Sequence, residues 1–205
     1  HVDLPHMKYY IIAGEASGDL HGANLIKAIK VQDQQAEIRC WGGDFMQEAG
    51  ATVVKHYRDL AFMGFAEVIS NLGTILGNIK FCKKDIAAFA PNVLVLIDYP
   101  GFNMRIAKWA KQNNIRVVYY VSPQIWAWKQ NRGHALKRDV DRMLTILPFE
   151  KDFYKKFDWD VDFVGHPLLD AIAQREKPSA LPGVPTDKPI IALLPGSRTQ
   201  EINVM

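Results

Sequence analysis

The sequence has little with which to cross-link itself or to span a bilayer. Its 205 residues include two cysteines, Cys40 and Cys82, far apart and in no CxxC pair. A disulfide framework and the common structural zinc spacings are therefore excluded, and the pair reads as reduced, packed thiols of a cytosolic protein. No apolar run approaches the ~20 residues that a transmembrane helix needs. The short apolar stretch after Met7 lacks the length of a signal-peptide core. Charge is modest too: 25 Lys and Arg against 22 Asp and Glu give a net of +3. No Lys/Arg block is dense enough to track a phosphate backbone, so nucleic acid is not an expected partner. Internal repeats and low-complexity segments are lacking.

What is present is ordinary globular composition, 48% hydrophobic and 23% charged, in a chain long enough for one domain and the beginning of another. Residues 1–6, ahead of Met7, read as an expression-tag remnant and are set aside. Short apolar runs then alternate with longer amphipathic ones, the rhythm of βαβ units. Strands are expected over 9–13, 37–41, 52–54, 93–97, 116–121, 142–146 and 161–164, and helices over 20–30, 65–89, 102–112 and 151–157. The run Val93-Leu94-Val95-Leu96-Ile97 is apolar at every position, as a strand buried on both faces requires. The expected fold class is α/β, a Rossmann-like parallel sheet with helices on both faces, over residues 7–173. Pro178, Pro182 and Pro185 punctuate a polar linker at 174–188, with Pro189 directly after it. Residues 189–205 supply one more buried-strand run and a helix start, the opening of a second domain that the sequence does not complete.

In an open parallel sheet, ligands bind beyond the carboxyl ends of the strands, so polar residues that directly follow a strand carry most information. The first strand delivers Gly14-Glu15-Ala16-Ser17-Gly18-Asp19. Two glycines there admit close backbone approach, and a helix N-terminus offers free N–H groups. The spacing is neither GxGxxG, GxxxxGK[ST] nor GxSxG, which disfavours a dinucleotide site and excludes a P-loop and a nucleophile elbow. A tight turn with Asp19 as helix cap is an equally good reading. The fourth strand ends in Asp98-Tyr99-Pro100-Gly101-Phe102-Asn103. A carboxylate at the mouth of so apolar a strand is costly unless solvated, paired or used. Asp98 there either caps its own turn or accepts the proton of an attacking hydroxyl.

The fifth strand leads to Ser122-Pro123-Gln124-Ile125-Trp126-Ala127-Trp128, where two loop tryptophans either wall a sugar or acyl chain or fill core. Gly165-His166-Pro167 follows the last strand of the domain. His166 has no ligand-spaced neighbour, so a structural or substrate-contacting role is preferred to a metal site. Apolar residues from Phe65 to Ile79 recur at helical spacing and are followed by Lys80, Lys83 and Lys84. Such a stripe more often packs against a sheet than lies on an anionic membrane.

Taken together, Gly14–Asp19, Met63-Gly64-Phe65-Ala66-Glu67-Val68, the 98–103 and 122–128 segments, Val164-Gly165-His166-Pro167 and Leu193-Leu194-Pro195-Gly196-Ser197-Arg198 resemble, in this order, the lipid A disaccharide synthases. The likeness runs from Met7 to the last residue. It implies the two-Rossmann-domain GT-B architecture, with most of the donor domain lying beyond these residues. It implies a reaction in which a 2,3-diacylglucosamine unit leaves its UDP carrier for the 6-hydroxyl of 2,3-diacylglucosamine 1-phosphate, inverting at the anomeric carbon. Asp98 would be the base. Gly14, Glu15, Ser17, Gly18, Asp19, Met63, Asn103, Gln124, Trp126, Trp128 and His166 would contact substrate, and Gly196, Ser197, Arg198 and Glu201 would hold the UDP phosphates. No cofactor and no metal are implied. The partners implied are the two lipid-sugar substrates and the inner face of the cytoplasmic membrane, with room for a homodimer; the chain by itself is expected to be inactive. A peptidoglycan N-acetylglucosaminyltransferase-like enzyme, a UDP-sugar epimerase and a non-catalytic nucleotide-sugar-binding module are the rival expectations.

Overall fold

In the computed structural model of the chain, residues 6–60 and 72–173 are described, together with 189, 191 and 193. Seven parallel strands form the sheet: β1 Lys8–Ala13, β2 Glu37–Gly42, β3 Thr52–His56, β4 Val93–Ile97, β5 Arg116–Tyr120, β6 Arg142–Thr145 and β7 Asp162–Phe163. Their spatial order is β3-β2-β1-β4-β5-β6-β7, and every pairing is parallel. The chain winds outward from β1 to β3 and then crosses back to place β4 on the other side of β1. That reversal is a topological switch point, where the loops after β1 and β4 diverge and leave a crevice.

The connecting helices are α1 Ala16–Gln32, α2 Asp44–Glu48, α3 Leu72–Phe89, α4 Pro100–Gln112, α5 Ile125–Trp128, α6 Arg132–Asp139, α7 Glu150–Lys155 and α8 Pro167–Ala173, with a 3-10 turn at Tyr57–Leu60. Successive strand residues face opposite sides of a sheet, and two cores result. Tyr10, Ile12, Leu94 and Leu96 pack with Ile79, Cys82 and Ile86 of α3 and with Phe102 and Ile106 of α4. Ile11, Ala13, Val95 and Ile97 pack on the other face with Ala23 and Ile26 of α1 and Met46 of α2. Leu94, Leu96 and Ile97 are at most 1% exposed. Burying each contributes about 1.5–3 kcal/mol, which makes β4 a rigid support for whatever follows it. Cys40 and Cys82 are buried free thiols.

α3 buries Ile79, Cys82 and Ile86 and leaves Leu76 and Phe81 exposed. The sheet-packing alternative thus accounts for one face of the expected 65–89 helix; its 65–71 part lies outside the described residues. A polar network pins α3 to the sheet. Arg39 on β2 donates two hydrogen bonds, 2.8 and 2.7 Å long, to Asp85, whose carboxylate also accepts the Tyr10 hydroxyl at 2.7 Å. The Trp41 indole N–H in turn donates to the Tyr10 oxygen at 3.0 Å.

Several element bounds differ from expectation. α1 starts at Ala16 rather than residue 20, because extended Glu15 serves as its N-cap residue. α4 starts at Pro100 rather than 102, since proline is suited to the first helical position, where no N–H is needed. β5 stops at Tyr120 because Val121 takes a φ of +61°. The short helices α2, α5, α6 and α8 and the 3-10 turn have no counterpart among the expected elements; one or two turns do not establish a helical period. Two compact units divide the chain, His1–Leu169 and Asp170–Met205. The expected linker at 174–188 lies outside the described residues.

Candidate active site at the switch point

β1 and β4 are hydrogen-bonded neighbours, and Ala13 pairs with Ile97 at their carboxyl ends. The next residues on the two strands, Gly14 and Asp98, therefore emerge side by side at the switch point. A Cβ on Gly14 would stand 2.4 Å from the Tyr99 ring. Only glycine lets that ring lie against the β1–α1 loop, where it stacks at 5.5 Å on Phe102 of α4.

Asp98 and Tyr99 form a strained elbow between β4 and α4. Their φ angles are +42° and +49°, and Val121, at the end of the neighbouring strand β5, has +61°. Left-handed conformations are costly for residues bearing a Cβ, most of all for a β-branched one, at about 1–2 kcal/mol each. Three other non-glycine residues with positive φ, Ala90, Asn114 and Asp158, lie just beyond α3, α4 and α7, where such a residue commonly ends a helix. The other three cluster at one edge of the sheet and have no such local explanation. Hydrogen bonds hold the elbow instead. The Asp98 N–H donates to the Tyr120 and Val121 carbonyls at 3.3 and 3.2 Å. Its carbonyl accepts Tyr119 Oη at 2.5 Å and Asn103 Nδ2 at 2.9 Å. At roughly 1 kcal/mol each, these four bonds offset the strain.

The Asp98 carboxyl is half-buried, and burial pushes its pKa up to about 6. The negative charge of Glu15 on the β1–α1 loop adds to the rise, and the Tyr99 backbone N–H partly opposes it. His21 on α1 is buried; burial depresses its pKa, nearby His166 depresses it further and Glu15 counteracts both. Glu150, at the start of α7, is 1% exposed and accepts the Ile146 and Leu147 N–H groups at 3.1 and 2.9 Å. Burial raises its pKa, while those bonds, Ser122 and His166 lower it. Glu15, His21, Asp98, Glu150 and His166 are thus linked electrostatically around the carboxyl edge of the sheet. Environments that move titrating groups in this way are characteristic of catalytic sites.

Some residues expected at the site have other duties. Asp19 is 2% exposed, and its carboxylate accepts the N–H groups of Gly43, Phe45 and Met46 at 2.8, 3.1 and 3.0 Å. It caps α2, not its own helix, and does not line a cleft. Gly18 is buried within α1, where a Cβ would meet that of Ala13 at 3.0 Å; it serves close helix–strand packing. Asn103 is fully buried and braces the elbow from beneath, donating also to the Ile97 carbonyl at 3.2 Å. Gly18 and Asp19 turn inward because α1 begins at Ala16 rather than 20; Asn103, within the expected helix, sits on the buried face of α4.

Ser17 is exposed and hydrogen-bonds Glu15 at 2.7 Å. His166 accepts the Leu168 N–H at 3.2 Å, after Gly165 with a φ of +84°. Gln124 is exposed. The loop expected at 125–128 is the short helix α5, which carries both Trp126 and Trp128. Trp126 is half-buried, meeting Phe149 edge-on at 5.0 Å. Met63, Gly196, Ser197, Arg198 and Glu201 lie outside the described residues.

Sequence reasoning missed His21, Tyr119, Ser122, Glu150 and Tyr154. His21 lies one turn along α1 from Ser17, a relation visible only once α1 starts at Ala16. Ser122 and Tyr154 share a 2.7 Å hydrogen bond across 32 residues of chain, for which no local pattern exists. Hollows of about 420 and 340 Å³ open at the opposite, amino-terminal edge of the sheet, around Arg116 and Asp141 and around Glu37 and Thr52. The strain and the shifted acid both lie at the carboxyl edge, so chemistry and not hollow size marks the site. Among the described residues no group of three or more His, Cys, Asp or Glu is arranged to hold a metal ion.

A parallel sheet in the order 3-2-1-4-5-6-7 with its switch point between β1 and β4 defines a Rossmann-like α/β domain. Solved structures agree on the fold. UDP-GlcNAc 2-epimerase from Neisseria meningitidis, bound to UDP-GlcNAc, superposes with a TM-score of 0.58 at 11% identity, over 82% of this chain and 48% of its own. A putative UDP-N-acetylglucosamine 2-epimerase from Listeria monocytogenes does so with 0.54, also at 11%, over 77% and 43%. Residues 9–205 match the Lipid-A-disaccharide synthetase family, and the chain belongs to that family. Lipid-A-disaccharide synthase of Trichlorobacter lovleyi is 42% identical over 94% of this chain and 51% of its own length. Lipid-A-disaccharide synthase 1 of Legionella pneumophila strain Paris is also 42% identical, over the same shares. The chain spans about half the length of the curated relatives it matches.

Proposed function

We propose that this chain is the acceptor-side half of a glycosyltransferase that makes the lipid A disaccharide. The O6 hydroxyl of 2,3-diacylglucosamine 1-phosphate attacks the anomeric carbon of UDP-2,3-diacylglucosamine from the face opposite UDP. The new C–O bond forms as the bond to the diphosphate breaks, UDP leaves with that electron pair, and the hydroxyl proton passes to the Asp98 carboxylate. The configuration inverts and a β-1,6 linkage results. Arg198, with Gly196, Ser197 and Glu201, stabilises the charge building on the diphosphate. The half-buried Asp98 on its strained elbow is the observation that supports this reading. With a pKa raised to about 6, the group is ionised at neutral pH yet more basic than an ordinary carboxylate, as a general base should be. Glu15, Ser17 and His166 are the described residues best placed to contact sugar. The acyl chains enter from the inner face of the cytoplasmic membrane, where the enzyme is peripheral, and a homodimer is compatible with this reading.

The test is Asp98→Ala in a chain of the relatives' full length. Turnover should fall at least about 100-fold with UDP-sugar binding retained. Full activity would reduce Asp98 to a turn-capping residue.

A further inference from the structure

General-base chemistry at Asp98 accounts for its carboxyl but not for the two buried side chains aimed at its backbone. Tyr119 on β5 is fully buried and donates its hydroxyl to the Asp98 carbonyl at 2.5 Å. Asn103 on α4 is also fully buried and donates Nδ2 to the same oxygen at 2.9 Å and to the Ile97 carbonyl at 3.2 Å. Both bonds meet a peptide whose φ is +42°, ahead of one at +49°. Polar side chains inserted into an otherwise apolar layer are costly unless satisfied, and Asn103 Oδ1 is left without a protein partner. Filling either place with an apolar group would leave the Asp98 carbonyl short of a donor at a strained turn.

Resting on the reading of Asp98 as the base, the geometry points to Tyr119 and Asn103 as positioning residues for the transfer reaction: their donors lock the Asp98–Tyr99 elbow and fix where the carboxyl stands over the sheet edge. Neither acts on substrate. Burial holds the Tyr119 pKa well above its usual value, with Asp98 and Tyr154 of α7 pushing the same way against the Asn103 side chain and Arg132 of α6. The hydroxyl therefore remains a donor throughout the working pH range. The charge facing the Asp98 carboxyl comes from Glu15 on the β1–α1 loop, and it stays in place when the Tyr119 hydroxyl is removed. A change in Asp98 titration on removing that hydroxyl thus reports movement of the elbow, not loss of a charge.

The experiment is the pH dependence of kcat/KM, which reports the free enzyme, for wild type and Tyr119→Phe in a full-length chain, with kcat, KM and the Tm of each measured alongside. Wild type should lose activity as the pH falls through about 6. Tyr119→Phe should lower kcat roughly ten- to a hundred-fold with KM for the UDP-sugar little changed. Its acid limb should move down by about one pH unit as the released carboxyl gains water. A lowered Tm with kcat and the acid limb both unmoved would make Tyr119 merely structural and overturn the proposal. A wild-type profile with no limb near 6 would instead sink the base itself, and the positioning role with it. Should Tyr119→Phe fail to fold, Asn103→Ala carries the same test with the same two outcomes.

Discussion

At the scale of single residues, the site carries a conflict between stability and function at Asp98. Its pKa in the folded chain is raised to about 6 from an ordinary 3.8. For a carboxyl the sign is the unusual one. The folded state holds the proton more tightly than the unfolded chain, so this group favours folding below about pH 4 and loses that contribution as the pH rises through 6. At neutral pH the ionised, half-buried group is a net burden. Asp98→Asn should therefore raise stability at pH 7 by on the order of 2 kcal/mol while lowering turnover, and urea unfolding at pH 4 and pH 7 should show that gain at pH 7 alone. A fall in stability at pH 7 would mean that the Tyr99 N–H matters more to the carboxylate than burial does. The position of Asp98 was legible in the sequence, because five apolar residues in a row end there. The left-handed turn at 98, 99 and 121 was not, because no helix end or glycine explains it there; tertiary hydrogen bonds hold it, from Tyr119 and Asn103 at the Asp98 carbonyl and between Asp98 and Val121.

At the scale of elements, two carboxylates join parts of the fold that local sequence does not connect. Asp19 of α1 fastens the N-terminus of α2 by three backbone bonds. Asp19→Ala would leave those buried donors unsatisfied and should cost about 2–4 kcal/mol in urea unfolding. A contact with substrate alone would cost almost nothing there. Asp85 holds α3 through Arg39 and Tyr10. Burial alone would raise its pKa, but the Arg39 and Tyr10 hydrogen bonds outweigh it and hold the carboxyl below its usual value. The stability it supplies is therefore present above the ordinary carboxylate range and is lost on acidification. Asp85→Ala should cost about 2–3 kcal/mol at pH 7, moderated because Arg39 keeps some solvent. Strands and long helices could be read from the period of their apolar residues. The starts of α1 and α4 could not, because Ala16 and Pro100 open helices inside segments rich in glycine and small polar residues that read equally well as turns. The resemblance implies substrate contact for Asp19 and Asn103, whereas α1 and α4 turn both inward.

At the scale of the whole molecule, the chain spans about half the length of the curated relatives it matches. The membrane alternative for the 65–89 stripe is testable on the exposed face of α3. Leu76 and Phe81 are 62% and 46% exposed, and Lys80 and Lys84 are exposed beside them. No helix among the described residues is long and apolar enough to cross a membrane. Leu76→Asp should leave the fold intact and weaken co-sedimentation with anionic liposomes, whereas Ile75, packed against the core, is unsuited to that test. Unchanged co-sedimentation would remove α3 from the membrane contact.

The account as a whole depends on one property: a carboxyl placed by a strained turn where burial keeps it basic. It is tested most directly by a carbon-13 NMR titration of the Asp98 side chain. The account predicts an inflection near pH 6. An inflection near 4, the ordinary value for an exposed aspartate, would contradict it.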